Sequence, residues 1–534
     1  MKATLTNNRI EISFQYRHDL VAMVKNFDGR TYNPATRSWF IPIDGSKPAV
    51  EKLIRSNFQV DPEILQAVMK DEMIAKETEA LAQMADTEFD TPLPLFNYQR
   101  VGANFLYQVG NGLLGDEPGM GKTPMSLAVA EKMKAKKVLI FTPSAVKYQF
   151  ASEIEKFLPG NKVVVVDGTV DKRLKLWTTE ARFYLANYEL LLRDFAHMDR
   201  DWDLIIADEA TKISNPFAKQ SKAVKKLRAK KKIAMTGTPI SNRANDLWNI
   251  LDFLAPGCMG NYFSFIDRYC MKNQWGGIFG YKNMDELKSK LKRYMIRRTR
   301  VEVLPELPEK METDMPFELS DKEKGLYDKI KKEILFDIKK TDIDKLENPM
   351  TIQHTLVKLL RLQQLTNSME LLGQDRKSSK IELLKEMIEE RAETDKVIIY
   401  TKFSKFADIL ERELDEYKPL KITGETATED RRSVVEAFNT TEDNRVMVIT
   451  DAASHGLNLQ FRCSTIICTD LPFSLAKLEQ VIGRVYRIGQ KKAVNIYYLL
   501  GIKTVDYHLK KILEKKGELS DQILTMNEIE SLLI

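Results

Sequence analysis

Polar and apolar residues alternate through Thr4–Tyr16, which predicts a strand or hairpin. Helical spacing follows at Asp19–Phe27, turn pairs at Asp28-Gly29 and Asn33-Pro34, a strand at Ser38–Ile43 and a helix at Lys47–Phe58. Residues 61–86 carry helical spacing with many charges, and Thr91-Pro92 with Pro94 closes them. Short apolar runs then alternate with helical stretches. The strand candidates are Val138–Phe141, Lys162–Val166, Leu204–Ala207 and Ile233–Met235, then Val397–Tyr400, Val446–Ile449 and Thr465–Cys468. A mostly helical stretch, about 242–375, separates the two sets. Such alternation predicts α/β lobes on parallel sheets with helical insertions. The expected division is a small α/β domain at 1–60, a linker helix at 61–92, a first lobe at 93–300 and a second at 301–534.

The chain has 534 residues, 43% hydrophobic and 30% charged, a balance that excludes disorder throughout and implies several folding units. No apolar run nears the ~20 residues of a bilayer span, and the N-terminus lacks the apolar core of a signal peptide. Four cysteines without paired spacing and five histidines argue against a disulfide scaffold or a zinc site. The expectation is a soluble intracellular protein. Net charge is only +6, but it is unevenly spread: eight of the fourteen residues from Lys219 to Lys232 are basic and none is acidic. A second run lies between Lys290 and Arg300, and residues 1–58 carry +4. Solvated helix faces would explain either run alone; two together point to a phosphate-backbone partner.

Three motifs carry chemistry. In Asp116-Glu117-Pro118-Gly119-Met120-Gly121-Lys122-Thr123, glycines let backbone N–H groups approach phosphate oxygens at a helix start. Lys122 would reach the β/γ-phosphates, and the Thr123 hydroxyl would hold Mg²⁺. The general pattern wants glycine where Asp116 stands. The apolar run Leu204–Ala207 ends in Asp208-Glu209-Ala210-Thr211, which places two carboxylates at the binding end of a parallel strand. Asp208 suits Mg²⁺, and Glu209 suits orienting the attacking water. Gln480–Gln490 sets Arg484 and Arg487 three apart, on one face if helical, where guanidinium groups could stabilise charge on a transferring phosphoryl.

In order, DEPGMGKT, DEAT, MTGTPISN, IRRTRVEVLPELP, GETATEDRR, SHGLNL and QVIGRVYRIGQ resemble the motifs of the Swi/Snf-type ATPases of helicase superfamily two, over about 93–510. The resemblance implies two RecA-like lobes and a DNA-dependent ATPase using ATP and Mg²⁺. It implies that Gln99 recognises adenine beside Tyr98 and that the loop residues Asp116 to Thr123 bind the phosphates. Thr236 would link that site to the DNA path, Gly456 and Gln480 would meet nucleotide, and Arg484 and Arg487 would be arginine fingers. Lys147 and Arg298 would join the DNA contacts. Thr211 and the stretch Asp451–Gly456 depart from the family pattern, which bears on coupling more than on hydrolysis.

The segment Arg30–Trp39 is similar to the small HARP domain of annealing helicases, so Arg30, Arg37 and Trp39 are candidate contacts to phosphates and exposed bases. Packing in a small core is the competing role for Trp39. The implied function is a translocase on duplex and branched DNA, acting in fork regression, branch migration or annealing. Small relatives of this kind occur in bacteriophages, which would place the protein in cytoplasm near the nucleoid, away from membranes. A strand-separating helicase and a non-enzymatic DNA scaffold remain as alternatives, and protein partners are not specified by the sequence.

Overall fold

A computed structural model describes residues 1–516 except 7–8, 44, 238, 240–243, 273–276, 305–306, 341–348, 375–376, 392–394 and 452–458. The chain forms two compact units, one essentially up to Thr299 and the other from Arg300 onward.

The first unit opens with a five-stranded sheet. Its strands run in the order Thr31–Asn33, Ser38–Pro42, Arg9–Ser13, Lys2–Thr6 and Gln59–Val60. The hairpin of Lys2–Thr6 with Arg9–Ser13 puts Ala3, Ile10 and Ile12 on one buried face. The helices His18–Val24 and Lys47–Arg55 cover that face with Leu20, Val24, Val50 and Leu53. The helix Pro62–Ala82 begins at an Asp61 cap and supplies Ile64 and Val68 to the same core.

Further ion pairs hold this domain within the unit. Asp28 meets Lys290 at 2.8 Å and Arg268 at 3.5 Å, Glu79 meets Lys292 at 2.9 Å, and Asp71 meets Arg293. The phosphate-facing surface expected at 290–300 is therefore corrected in its first part: acids more than two hundred residues away pair with Lys290, Lys292 and Arg293. Part of the run 219–232 is consumed likewise. Lys225 pairs with Asp252, Arg228 with Asp201 and Lys230 with Asp203, while Lys231 is buried on the carbonyls of Leu106 and Tyr107. Lys219, Lys222 and Lys226, along the helix Lys219–Lys226, stay exposed.

The main sheet of the first unit has seven parallel strands. Their order is Met295–Ile296, Gly112–Leu114, Ala229–Met235, Trp202–Asp208, Val138–Thr142, Phe183–Asn187 and Val163–Val165. The central runs Val138–Phe141 and Leu204–Ala207 are apolar and fully buried, as in a parallel sheet covered on both faces. The second unit has six parallel strands, ordered Lys310–Phe317, Val494–Gly501, Cys463–Cys468, Lys396–Tyr400, Val446–Ile449 and Leu420–Ile422. Both sheets match the expected fold class. The stretch 242–375 is less uniformly helical than its spacing predicts, since it contains the hairpin Cys270–Lys272 with Ile278–Tyr281 and the strands Met295–Ile296 and Lys310–Phe317. No helix among the described residues is long and apolar enough to cross a membrane.

Candidate active site

The phosphate-loop candidate leaves the carboxyl end of Gly112–Leu114 and enters the helix Lys122–Lys132. Gly121 caps that helix at φ +74°, a left-handed geometry that costs glycine little. A Cβ there would collide with the Gln99 side-chain amide, so the loop and Gln99 lie in direct contact. Gln99 is buried; its Oε1 accepts from the Phe96 N–H at 3.1 Å and its Nε2 donates to the Tyr98 hydroxyl at 3.3 Å. Lys122 Nζ donates to the carbonyls of Asp116 at 2.7 Å and Glu117 at 3.0 Å. Its charge is thus centred in the loop, where phosphate oxygens would take over from carbonyls. Thr123 opens the helix beside it.

Asp116 explains the departure from a glycine-first loop. Its carboxylate is fully buried and is bound by Arg298, whose backbone N–H, Nε and Nη2 approach it at 3.1, 3.2 and 2.5 Å. Arg298 also donates to the Tyr98 carbonyl at 2.6 Å. One guanidinium therefore ties the helix Asn97–Val109, through the Tyr98 carbonyl, to Asp116 in the loop. Removing either partner would strand a buried charge. This corrects Arg298 as a DNA contact, since it is only 7% exposed. Lys147 is corrected for the same reason: it is buried, bonded to Asp167 at 3.0 Å and to the Val166 carbonyl at 3.2 Å. Thr236 is buried too, and its N–H donates to the Leu114 carbonyl at 3.1 Å, within the wall of the loop.

Trp202–Asp208 delivers the acidic pair. Glu209 adopts φ +49°, a conformation uncommon outside glycine and typical of strained functional turns. The buried Tyr188 hydroxyl donates to the Asp208 carbonyl at 2.6 Å, and its ring stacks on Phe141. No sequence spacing marks Tyr188 as this anchor. Burial and the Glu209 charge push the Asp208 carboxyl up to about 7, against the pull of Lys122 and with a smaller push from Glu153. The lysine and both carboxylates thus share one electrostatic environment. Were Mg²⁺ bound with phosphate, the Thr123 hydroxyl and the Asp208 carboxylate are the oxygen donors that would hold it.

A pH-dependent prediction follows for metal-free protein. The folded Asp208 value lies above the ~3.9 of an unfolded aspartate, so its contribution to stability is full below pH 4 and is lost as pH rises through about 7. Asp208→Asn should raise the unfolding temperature at pH 8, show no gain near pH 4, and abolish hydrolysis. Thermal unfolding at both pH values with EDTA checks it; equal melting at pH 8 would remove the electrostatic account.

In the second unit the helix Leu475–Ile482 ends at Gly483. Arg484 and Arg487 follow in a chain of turns, so their expected shared helical face is corrected. The Arg484 carbonyl accepts from the Leu459 N–H at 3.2 Å, and its Nε donates to the Gln480 carbonyl at 3.1 Å. Arg300 braces this segment: Nη2 donates to Glu479 at 2.7 Å and Nη1 to the Tyr486 carbonyl at 3.0 Å, with the guanidinium over the Tyr486 ring. Gly456 lies outside the described residues. In the N-terminal domain Arg30 donates to the Phe27 carbonyl at 3.2 Å, Arg37 is exposed, and Trp39 packs on the core while its ring meets Tyr32 at 4.9 Å.

Residues 73–371 match the SNF2-related domain, and residues 379–489 match the helicase conserved C-terminal domain. An uncharacterized ATP-dependent helicase of Mycoplasma pneumoniae is 30% identical over 82% of this chain and 43% of its own length. A Caenorhabditis elegans homolog of SWI/SNF-related matrix-associated actin-dependent regulator of chromatin subfamily A-like protein 1 is 26% identical over 97% of this chain and 75% of its own. The Sulfolobus solfataricus SWI2/SNF2 ATPase core solved in complex with dsDNA is 28% identical, with a TM-score of 0.40, covering 84% of this chain and 96% of that one. The chain spans less than half the length of the bacterial relatives it matches.

Proposed function

Since the chain belongs to the family of the SNF2-related domain, we propose that it is an ATP-driven DNA translocase that remodels branched DNA. Fork regression, branch migration and strand annealing are the forms such remodelling would take. The observation that carries the ATPase is the grouping of Lys122, Asp208 and Glu209 at the carboxyl ends of two sheet strands, with Gln99 fixed against the loop. When bound, Mg²⁺ would neutralise phosphate charge. This chain's own residues would do the remainder: Lys122 binds phosphate oxygens, Gln99 orients the base, and Glu209 orients water and accepts its proton.

For DNA, exposed Lys219, Lys222 and Lys226 offer phosphate contacts without sequence preference. The N-terminal domain adds Arg37 and a Tyr32–Trp39 ring pair, of which Tyr32 is 49% exposed. The C. elegans alignment, at 97% of the chain, extends over this domain. The test compares ATP turnover without DNA and with single strand, duplex, fork and four-way junction. Forks or junctions should stimulate most and be remodelled; single-strand preference with strand displacement would favour a separating helicase instead. Arg37→Ala, at an exposed position, should leave duplex-stimulated turnover within about twofold, since exposed arginines add little to folding, while fork remodelling falls; Arg30→Ala, which also removes the bond to the Phe27 carbonyl, is read beside its melting temperature. Deletion to Asp61 is a poorer tool, because it strips Ile64 and Val68 of their core. Unchanged fork regression by both variants would free the domain for another role.

A further inference from the structure

The second unit's sheet has two ends, and the ATPase reading uses one of them. Asp451 and Asp470 follow the carboxyl ends of Val446–Ile449 and Cys463–Cys468. The opposite end carries a cleft of about 490 Å³, on the scale of small-ligand sites. Lys396 and Cys463 open their strands on it, and Arg445 sits just before Val446. Parallel α/β sheets ordinarily bind ligands at the carboxyl end, so this cleft is no extension of a nucleotide site there.

Its lining has three features. The first is charge: Arg445, Arg462, Lys491 and Lys492 line it with two acidic residues, Asp395 and Glu442, while the buried Lys396 gives its ammonium to the Phe438 and Thr441 carbonyls. Arg462 meets Glu442 at 3.2 Å and Lys492 meets Asp395 only at 3.4 Å, which leaves exposed Lys491 with no acidic partner among the described residues. The second is Phe461, 63% exposed although it borders the cleft. Gly489, at φ +92°, approaches the edge of that ring, its would-be Cβ 3.6 Å from Cε1. The third is Gln460. The residue is 6% exposed, its Nε2 donates at 3.4 Å to the Ile488 carbonyl, and its Oε1 has no hydrogen-bond partner. A buried acceptor left unsatisfied is costly and calls for a donor.

A flat ring seeks another flat face, an orphan amide oxygen seeks an N–H, and surplus cations seek an anion. A nucleotide whose base carries an exocyclic amine supplies all three. We propose that this cleft is a second nucleotide-binding site, which holds one amine-bearing base (adenine, cytosine or guanine) and its phosphate within a single DNA strand. Phe461 stacks on the base, Gln460 Oε1 accepts from the amine, and Lys491 with Arg462 neutralises phosphate. The site is separate from ATP hydrolysis and stands whether or not the motor prefers branched DNA. Its floor is fixed, since the Gln490 amide donates to the Cys463 carbonyl at 2.9 Å.

The test uses the full chain and a labelled (dC)₆ strand, cross-linked by ultraviolet light, with adducts mapped by peptide mass spectrometry. Adducts are expected on the peptide containing Phe461. Unlabelled (dC)₆ or (dA)₆ should displace the probe there, and (dT)₆, which lacks the amine, should do so poorly. Phe461→Ala should weaken binding at this peptide roughly 5- to 100-fold, and Lys491→Glu several-fold with greater salt sensitivity. Both should retain the parent's melting temperature and duplex-stimulated ATP turnover. Adducts confined to other peptides, or unchanged adduct affinity in Lys491→Glu, would overturn the site. Equal displacement by (dT)₆ would overturn the role of Gln460. Displacement by polyglutamate but not by (dA)₆ would assign the cleft to an acidic protein segment and overturn the nucleotide proposal.

Discussion

Glu209→Gln is expected to lower ATP turnover at least about 10³-fold while ATP still binds with near-parental affinity. The carboxylate is positioned by a strained backbone, φ +49°, at the end of a strand whose last carbonyl is held by Tyr188. Glutamine preserves that shape and the hydrogen-bonding reach but cannot take a proton from water. General-base assistance contributes typically 10²–10⁴-fold, so the loss falls on kcat and spares binding. Lys122→Ala should fail differently. It removes the cation that spans the loop carbonyls and also offsets the rise at Asp208, so ATP affinity should drop along with turnover. Equilibrium binding of a fluorescent ATP analogue, measured beside steady-state hydrolysis, separates the two. Near-normal DNA-stimulated turnover by Glu209→Gln would end its assignment as base.

The two variants differ in what their neighbours reveal, and that difference also divides what was legible in the sequence. Lys122, Thr123, Asp208 and Glu209 belong to short contiguous motifs beside apolar strands, so local spacing suffices to find them. Arg298 and Asp116 are 182 residues apart, and no periodicity links them; the pairing arises only when Met295–Ile296 docks beside Gly112–Leu114. The basic run at 290–293 misled for the same reason, because charge counting is blind to Asp28, Asp71 and Glu79 arriving from another part of the chain. Strand prediction found most of the central apolar strands but not Phe183–Asn187, although four of its five residues are buried. It missed Lys310–Phe317, whose edge position leaves most of its side chains exposed or half-buried and its sequence largely polar. Val494–Gly501 carries β-branched and aromatic residues and was legible in principle.

The last expected result concerns the second unit's arginines. If Arg484 and Arg487 complete the charge stabilisation of the transferring phosphoryl, replacing either with Ala should cost roughly 10³-fold or more in kcat with a smaller change in ATP affinity. Their setting makes Arg300 an informative control. It contacts Glu479 and the Tyr486 carbonyl on either side of Gly483, where the helix gives way to turns. The turn segment has weaker local support than a helix would give it, so its aim depends on that brace. Arg300→Ala should lower kcat roughly 10–100-fold, the scale of a misplaced group. Arg300→Lys should recover only part of this, because an ammonium cannot reproduce the forked contact. Single-turnover hydrolysis with ATP binding measured separately distinguishes the roles. Losses in Arg484→Ala and Arg487→Ala that appear only in KM would make them binding residues. Unchanged kcat in both would mean that the second unit does not complete the site, and a parental kcat in Arg300→Ala would show that Gly483–Arg487 holds its geometry unaided.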